Sequence, residues 1–201
     1  MRRRVLFITH AEVVIDPNIP VPDWPLSDRG RTRHQAFNRN PAIRGISAIH
    51  SSGERKARDG AAILAGATGL TPITTRALHE NDRSATGYRP RAEFEALADR
   101  FFAEPTTSVL GWERAVDARA RIVACVAAIL AADQTRGDIA LLAHGGVGAL
   151  LLSHLLRAPI SRRFDQPGTG GGNWFAFDAR SEAVIHGWRD IGAEPATFRG
   201  D

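Results

Sequence analysis

"DIALLAHGGVGALLLSHLLRA", residues 138–158, is the stretch that decides the fold. Ile139 to Ala143 form an unbroken apolar run of strand length. His144-Gly145-Gly146 interrupts it, and from Val147 the sequence resumes as an apolar run of helical length. A strand with no polar face must be covered on both sides, as in a parallel sheet. A strand that passes through glycines into a helix is the first half of a β-α-β unit.

The same pattern repeats outward from this point. RRVLFIT (3–9) reads as a strand, and LSDRGRTRHQAFNR (26–39) as a helix with Ser27 as N-cap and Asp28 in its first turn. ISAIHSS (46–52) is a short strand, and ERKARDGAAILAGATG (54–69) a helix with a glycine stop. PITTRALHE (72–80) starts as a strand and runs into a polar loop. RAEFEALADRFFA (91–103) and GWERAVDARARIVACVAAILAAD (111–133) carry apolar stripes at helical spacing, and WFAFDA with AVIHGW reads as a closing hairpin around Arg180-Ser181-Glu182. Alternating strands and helices predict one α/β domain over residues 1–201, a three-layer sandwich with a mostly parallel sheet. GTGGG (168–172), ahead of a strand, reads as a flexible loop.

Composition narrows the function classes. The charge of +4 comes from arginines interleaved with Asp and Glu, with Lys56 the only lysine. That scatter argues against nucleic acid and suits a small anion, which arginine clamps well. The single cysteine, Cys125, lies in an apolar helical run and reads as core. It excludes a disulfide framework within the chain and a Cys-based zinc site. The seven histidines show no HExxH or HxH spacing, and His154 falls inside an apolar helix, so no metal is expected. The sequence has no dinucleotide or P-loop fingerprint and no G-x-S-x-G elbow, and no cofactor is expected. MRRR followed by four apolar residues is too short for a signal peptide, and no window is apolar enough for a membrane span. The expected setting is cytoplasmic, without membrane or nucleic-acid partners.

In parallel sheets, sites form at the carboxyl ends of strands. There the sequence places Thr9-His10, His50-Ser51-Ser52, Leu78-His79-Glu80 and His144-Gly145-Gly146. A histidine at one strand end is ordinary; two at equivalent ends, with a carboxylate at a third, exceed what a core needs. Gly145-Gly146 at a helix start offers backbone N–H groups to an anion. Arg55, in the first turn of its helix, suits a bidentate phosphate clamp, with Arg58 second. Glu80 is the candidate general acid, with Asp82 competing.

In this order the residues resemble the histidine phosphatase superfamily, the phosphoglycerate mutase-like fold: His10, Ser51-Ser52-x-x-Arg55, Glu80 and "LLAHGG" at 141–146, with "PLSDRGRTRHQA" at 25–36 similar to another stretch of the family. The resemblance implies a metal-independent phosphomonoesterase. His10 would accept the phosphoryl group and Arg55 would hold its oxygens. His144 would stabilise its charge, and Glu80 would protonate the leaving group and then activate water. Gly145 and Thr9 would line the phosphate pocket. The partner implied is a phosphorylated small molecule; a homodimer is the oligomer allowed for.

One motif departs from the family. The usual Arg-His-Gly is Thr9-His10-Ala11. A hydroxyl in place of a guanidinium gives up a charge-assisted bond worth about 1.5–3 kcal/mol, or roughly ten- to a few-hundredfold in rate. Arg83 or Arg89, in the loop after Glu80, could replace that charge. Asp16 and Asn18, in the proline-rich loop before the first helix, read as structural. Thr9 also opens a second reading, a phospholigand-binding relative that has lost turnover. A mutase-type phosphotransferase is the third.

Overall fold

A computed structural model of the chain describes residues 3–168 and 170–193. The elements run β1 (Arg4–Thr9), α1 (Asp28–Phe37), β2 (Ile46–Ser51), α2 (Arg55–Thr68), β3 (Ile73–Thr74), α3 (Arg91–Ala103), α4 (Ala115–Ala132), β4 (Asp138–Ala143), α5 (Gly145–Leu155), β5 (Asn173–Asp178) and β6 (Val184–Asp190). The strands form one sheet in the order β3-β2-β4-β1-β5-β6. The pairs β3-β2, β2-β4 and β4-β1 are parallel; β5 is antiparallel to β1 and to β6. The expected α/β sandwich is present, with β5 alone running against the other strands.

Period-two alternation builds the three layers. Val5 and Phe7, with Ile139, Leu141, Phe175 and Phe177, pack under Ile122, Val126 and Ile129 of α4 and Val147 and Leu151 of α5. Leu6 and Ile8, with Ala140, Leu142 and Trp174, pack on Phe37 of α1 and Ala61 and Leu64 of α2. Cys125 is buried in the first of these layers. Phe101 and Phe102 of α3 close a smaller cluster against Trp112, Ala149 and Leu150. At the start of the central pair, the Asp138 carboxylate accepts the Arg4 backbone N–H at 2.7 Å and its Nε–H at 2.8 Å, which fixes the β1–β4 register.

Local chemistry sets the element ends. Ser27 Oγ accepts the Gly30 N–H at 3.1 Å as the N-cap of α1, and α2 ends at Gly69 with φ +71°. α5 begins at Gly145, two residues before the apolar run. β3 is only two residues long and gives way to a 3-10 turn at Arg76–Leu78. The helix expected from residue 111 begins at Ala115, because Val109–Gly111 turns tightly with Leu110 at φ +48°.

The glycine run proves partly packed. Gly172 N–H donates to the His10 carbonyl at 2.7 Å, and Gly171 has φ +68° with its missing Cβ 2.2 Å from the same oxygen. Only glycine brings backbone this close behind the β1 end. Thr169, within that run, lies outside the described residues.

Candidate active site

β1, β4 and β2 are neighbours and parallel, so their carboxyl ends share one edge. His10 N–H donates to the Ala143 carbonyl at 3.1 Å and Ser52 N–H to that of Leu142 at 2.9 Å. The His10 and His144 rings stand 5.3 Å apart between centroids at 64°.

His10 is held from both sides. Its Nδ1 lies 2.9 Å from the Ala11 carbonyl, an acceptor, which assigns the proton to Nδ1 and the lone pair to Nε2. Burial pushes the imidazole down to about 4; the Lys56 and Arg83 charges act in the same direction, and the Ala11 bond and Glu54 oppose them. Behind it, Ala11 N–H donates to Nε2 of His34, a buried α1 histidine that burial pushes down to about 3. His10 is therefore a neutral base at neutral pH.

The cation beside it comes from α2. Lys56 is 3% exposed, and its Nζ donates to Glu54 Oε2 at 2.5 Å and to the Val21 carbonyl at 2.9 Å. Arg55, expected as the clamp, is exposed. Successive helical residues are rotated by about 100°. The buried face of α2 is Lys56, Ala57, Gly60, Ala61 and Leu64, which leaves Arg55 and Arg58 outward.

Glu54, the N-cap residue of α2, joins three parts of the site. Its Oε1 lies 3.3 Å from His144 Nε2 and accepts the Glu80 N–H at 2.9 Å; its Oε2 meets Lys56. Burial opposes its charge, but the Lys56 ammonium, by charge and by hydrogen bond, and the Glu80 N–H hold the carboxyl well below the usual range. His144 is fully buried, and Nε2 also meets Ser52 Oγ at 2.8 Å. Burial keeps its pKa far below the ordinary histidine value, against the pull of Glu54.

Glu80 caps α5. Its carboxylate accepts N–H bonds from Gly146 at 3.0 Å, Val147 at 2.9 Å and Asn81 at 3.0 Å. The amides that the sequence offers to an anion thus hold this chain's own carboxylate. A Cβ on Gly146 would come 2.6 Å from Glu80 Oε1, and one on Gly145 would come 2.3 Å from Gln166 Nε2. Arg121 of α4 fixes the Glu80 segment. It donates to the Glu113 carboxylate at 2.9 and 2.7 Å, and to the carbonyls of Ala77 at 2.9 Å, His79 at 2.9 Å and Glu80 at 3.3 Å. Asp165 is pushed up, first by burial, with Arg162 opposing and the nearby Glu80 charge adding to the rise.

Thr9, expected to face the ligand, is fully buried and turned elsewhere: Oγ1 donates to Gln166 Oε1 at 2.7 Å and accepts the Asn173 N–H at 2.9 Å. Of the two arginines expected to replace that charge, Arg83 lies over an aromatic pair. Its guanidinium carbon lies 4.9 Å from the Phe94 ring centroid and 5.7 Å from that of Trp112, and its charge bears on both His10 and His144. Arg89 pairs instead with Glu93 at 3.7 Å, and Asp82, which is exposed, accepts the Ser84 N–H. Asp16 Oδ1 accepts both Asn18 N–H groups, backbone at 2.9 Å and side chain at 3.1 Å.

The structure thus brings His10, His144 and Glu80 to one edge, with the Arg83 charge felt by both histidines, and turns Arg55 and Thr9 away. It adds Glu54, Lys56, Arg121, Asp165 and Gln166. Lys56 carried a signal in being the chain's one lysine, on the apolar stripe of its helix. Among the described residues, no group of three His, Cys, Asp or Glu could hold a metal ion, and no helix is long and apolar enough to cross a membrane.

A search of curated protein sequences finds no match. Among solved structures, the chain is similar to a mycobacterial glucosyl-3-phosphoglycerate phosphatase in complex with inorganic phosphate. It is 26% identical, with a TM-score of 0.74, over 96% of this chain and 100% of that one. The native structure of that enzyme is 28% identical, with a TM-score of 0.72, over 93% of this chain and 96% of its own. Bacillus stearothermophilus YhfR shares the fold, with a TM-score of 0.74 at 20% identity over 96% of this chain and 98% of that one. The family model of the histidine phosphatase superfamily (branch 1) matches residues 5–190, and with the paired histidines and the closing hairpin inside that span, the chain belongs to this superfamily.

Proposed function

We propose that the site hydrolyses phosphomonoesters through a phosphohistidine on His10, without a metal ion. One observation carries this reading above the others. His10 is a neutral imidazole at the end of a central strand, with Nδ1 committed to the Ala11 carbonyl and Nε2 left as the nucleophile. In this reading Nε2 attacks phosphorus, the bond to the leaving oxygen breaks, and Glu80, in its protonated form, gives that oxygen a proton. Water then attacks the phosphohistidine, returns a proton to Glu80 and frees phosphate. Lys56, Arg83 and His144 supply the positive and hydrogen-bonding groups that phosphoryl transfer needs. Asp165 is the second carboxyl available as acid, since burial and Glu80 push it up. The mycobacterial relative, solved with inorganic phosphate, supports the same ligand chemistry.

A second reading, a phospholigand-binding domain without turnover, draws on a specific observation. Lys56 is already paired with Glu54, and Glu80 occupies the α5 amides. Hydrolysis of p-nitrophenyl phosphate in the presence of EDTA, compared between the wild type and His10→Ala, separates the two. Activity that survives EDTA and disappears in His10→Ala supports the phosphatase. Binding of vanadate without hydrolysis supports the binding domain.

A further inference from the structure

The carboxylate of Glu54 does something to His144 that the reaction outlined above does not require. Its Oε1 faces His144 Nε2 at 3.3 Å while Lys56 and the Glu80 N–H keep it ionised. An imidazole nitrogen beside an ionised carboxylate carries its proton, because a lone pair there would be repelled. The Ser52 hydroxyl oxygen, 2.8 Å from Nε2, then accepts the hydrogen bond, with the Glu54 charge beside it. The proton on Nε2 places the lone pair of neutral His144 on Nδ1. Among the described residues Nδ1 is buried and has no hydrogen-bond partner. A buried acceptor without a donor is unfavourable, and this one belongs to the ring standing 5.3 Å from His10.

We propose that Glu54 is a positioning residue that readies His144 to hold a proton on Nδ1 when a tetrahedral oxyanion enters, so that this site binds its phosphoryl group together with one proton; the proposal rests on the phosphate-site reading above. The proton adds the positive charge that Thr9 does not provide. It also screens the incoming anion from Glu54, which would otherwise repel it.

The groups facing His144 fit this assignment. From just past the end of β1 comes His10, which is neutral. From the β2–α2 connection come Ser52, Glu54 and Lys56, the last two paired with each other. From the segment after Glu80 comes the Arg83 charge, while the Glu80 carboxylate is engaged on the α5 amides. Burial, with the neighbouring cations behind it, keeps His144 neutral, and Glu54 pulls the other way. A dianion tips that balance.

The test uses sulfate, which stays a dianion from about pH 6 to about pH 8, so a proton taken up belongs to the protein. The full-length protein carries isotope-labelled histidine, and the ring nitrogens are followed by NMR as sulfate is added. The His144 signals are identified by their loss in His144→Gln. Sulfate binding is expected to convert His144 to imidazolium and to weaken about tenfold per pH unit across that range. In Glu54→Gln, His144 is expected to stay neutral in the complex and the pH slope to flatten. Ser52→Ala, which leaves Glu54 in place, is expected to retain proton uptake, and it serves as the variant arm if Glu54→Gln does not fold. Sulfate bound to the wild type with His144 neutral and no pH slope overturns the proposal, as does equal protonation in Glu54→Gln. Failure of sulfate and of vanadate to move any histidine signal overturns the phosphate-site reading instead, and this proposal with it.

Discussion

Thr9 Oγ1 donates to Gln166 Oε1 at 2.7 Å and accepts the Asn173 N–H at 2.9 Å, so the residue in the place of the family's arginine closes a seam between β1 and the start of β5. The Thr9 hydroxyl is committed to this seam on both its donor and its acceptor side. Thr9→Val keeps the shape and leaves the Asn173 N–H and the Gln166 oxygen short of a partner. Such a buried loss costs about 1–3 kcal/mol. A urea titration should show the midpoint falling with an unchanged slope, while p-nitrophenyl phosphate turnover per folded molecule stays close to that of the wild type.

Lys56 and Arg55 are adjacent in sequence but on different faces of α2. Lys56→Met removes the buried cation beside His10, and hydrolysis should drop by roughly ten- to a few-hundredfold, the worth of one charge-assisted contact. Arg55→Ala, on the exposed face, should change stability by under about 0.5 kcal/mol and leave hydrolysis intact. Steady-state kinetics on the two variants reverses this assignment if Arg55 is the one that matters.

Arg121 ties α4 to the segment carrying Glu80 through three carbonyls and the Glu113 carboxylate. Its side chain is 18% exposed and that of Glu113 17%. Arg121→Met should therefore destabilise by an amount at or below the roughly 3 kcal/mol lower limit seen for fully buried pairs. At temperatures where the variant remains folded, kcat should fall more than KM rises, because Glu80 loses its support rather than the ligand its contacts. Equal effects on both parameters would count against a positioning role.

His10 and His34 are pushed down to about 4 and about 3. In the unfolded chain each binds a proton near pH 6.5, so between that pH and the folded values the unfolded state holds more protons. Stability is then fully present above about pH 6.5 and declines as pH falls toward 4, by roughly 1.4 kcal/mol per pH unit for each histidine. Denaturation midpoints across this window measure the slope, and His34→Gln should reduce it. Since His10 remains neutral down to about pH 4, its protonation should not limit turnover above about pH 5.

The layers, the strand order of appearance and the pairing of His10 with His144 were legible in the sequence, because local patterns carry them. Apolar runs such as Val5–Ile8 and Ile139–Ala143 announce buried strands, and histidines just past them announce the sheet's carboxyl edge. Lys56 rather than Arg55 faces inward through a one-residue difference in helix phase, which shows locally only as the apolar stripe Ala57, Ala61 and Leu64 that Lys56 joins. Glu54 and Arg121 were invisible for another reason: their partners lie at Glu80 and His144, and at Ala77–Glu80, distant in sequence.

By itself, then, the sequence determined which segments become strands and helices, which faces they bury, and which strand ends carry titratable groups. Hydrophobic period and turn chemistry act over a few neighbouring residues. Tertiary structure alone decided which charge stands beside His10, which carboxylate holds His144, and that Glu80 rather than an outside anion meets the α5 amides. Those outcomes depend on helix phase and on loops closing across the sheet edge, where a rotation of about 100° per residue exchanges a pocket group for a solvent one.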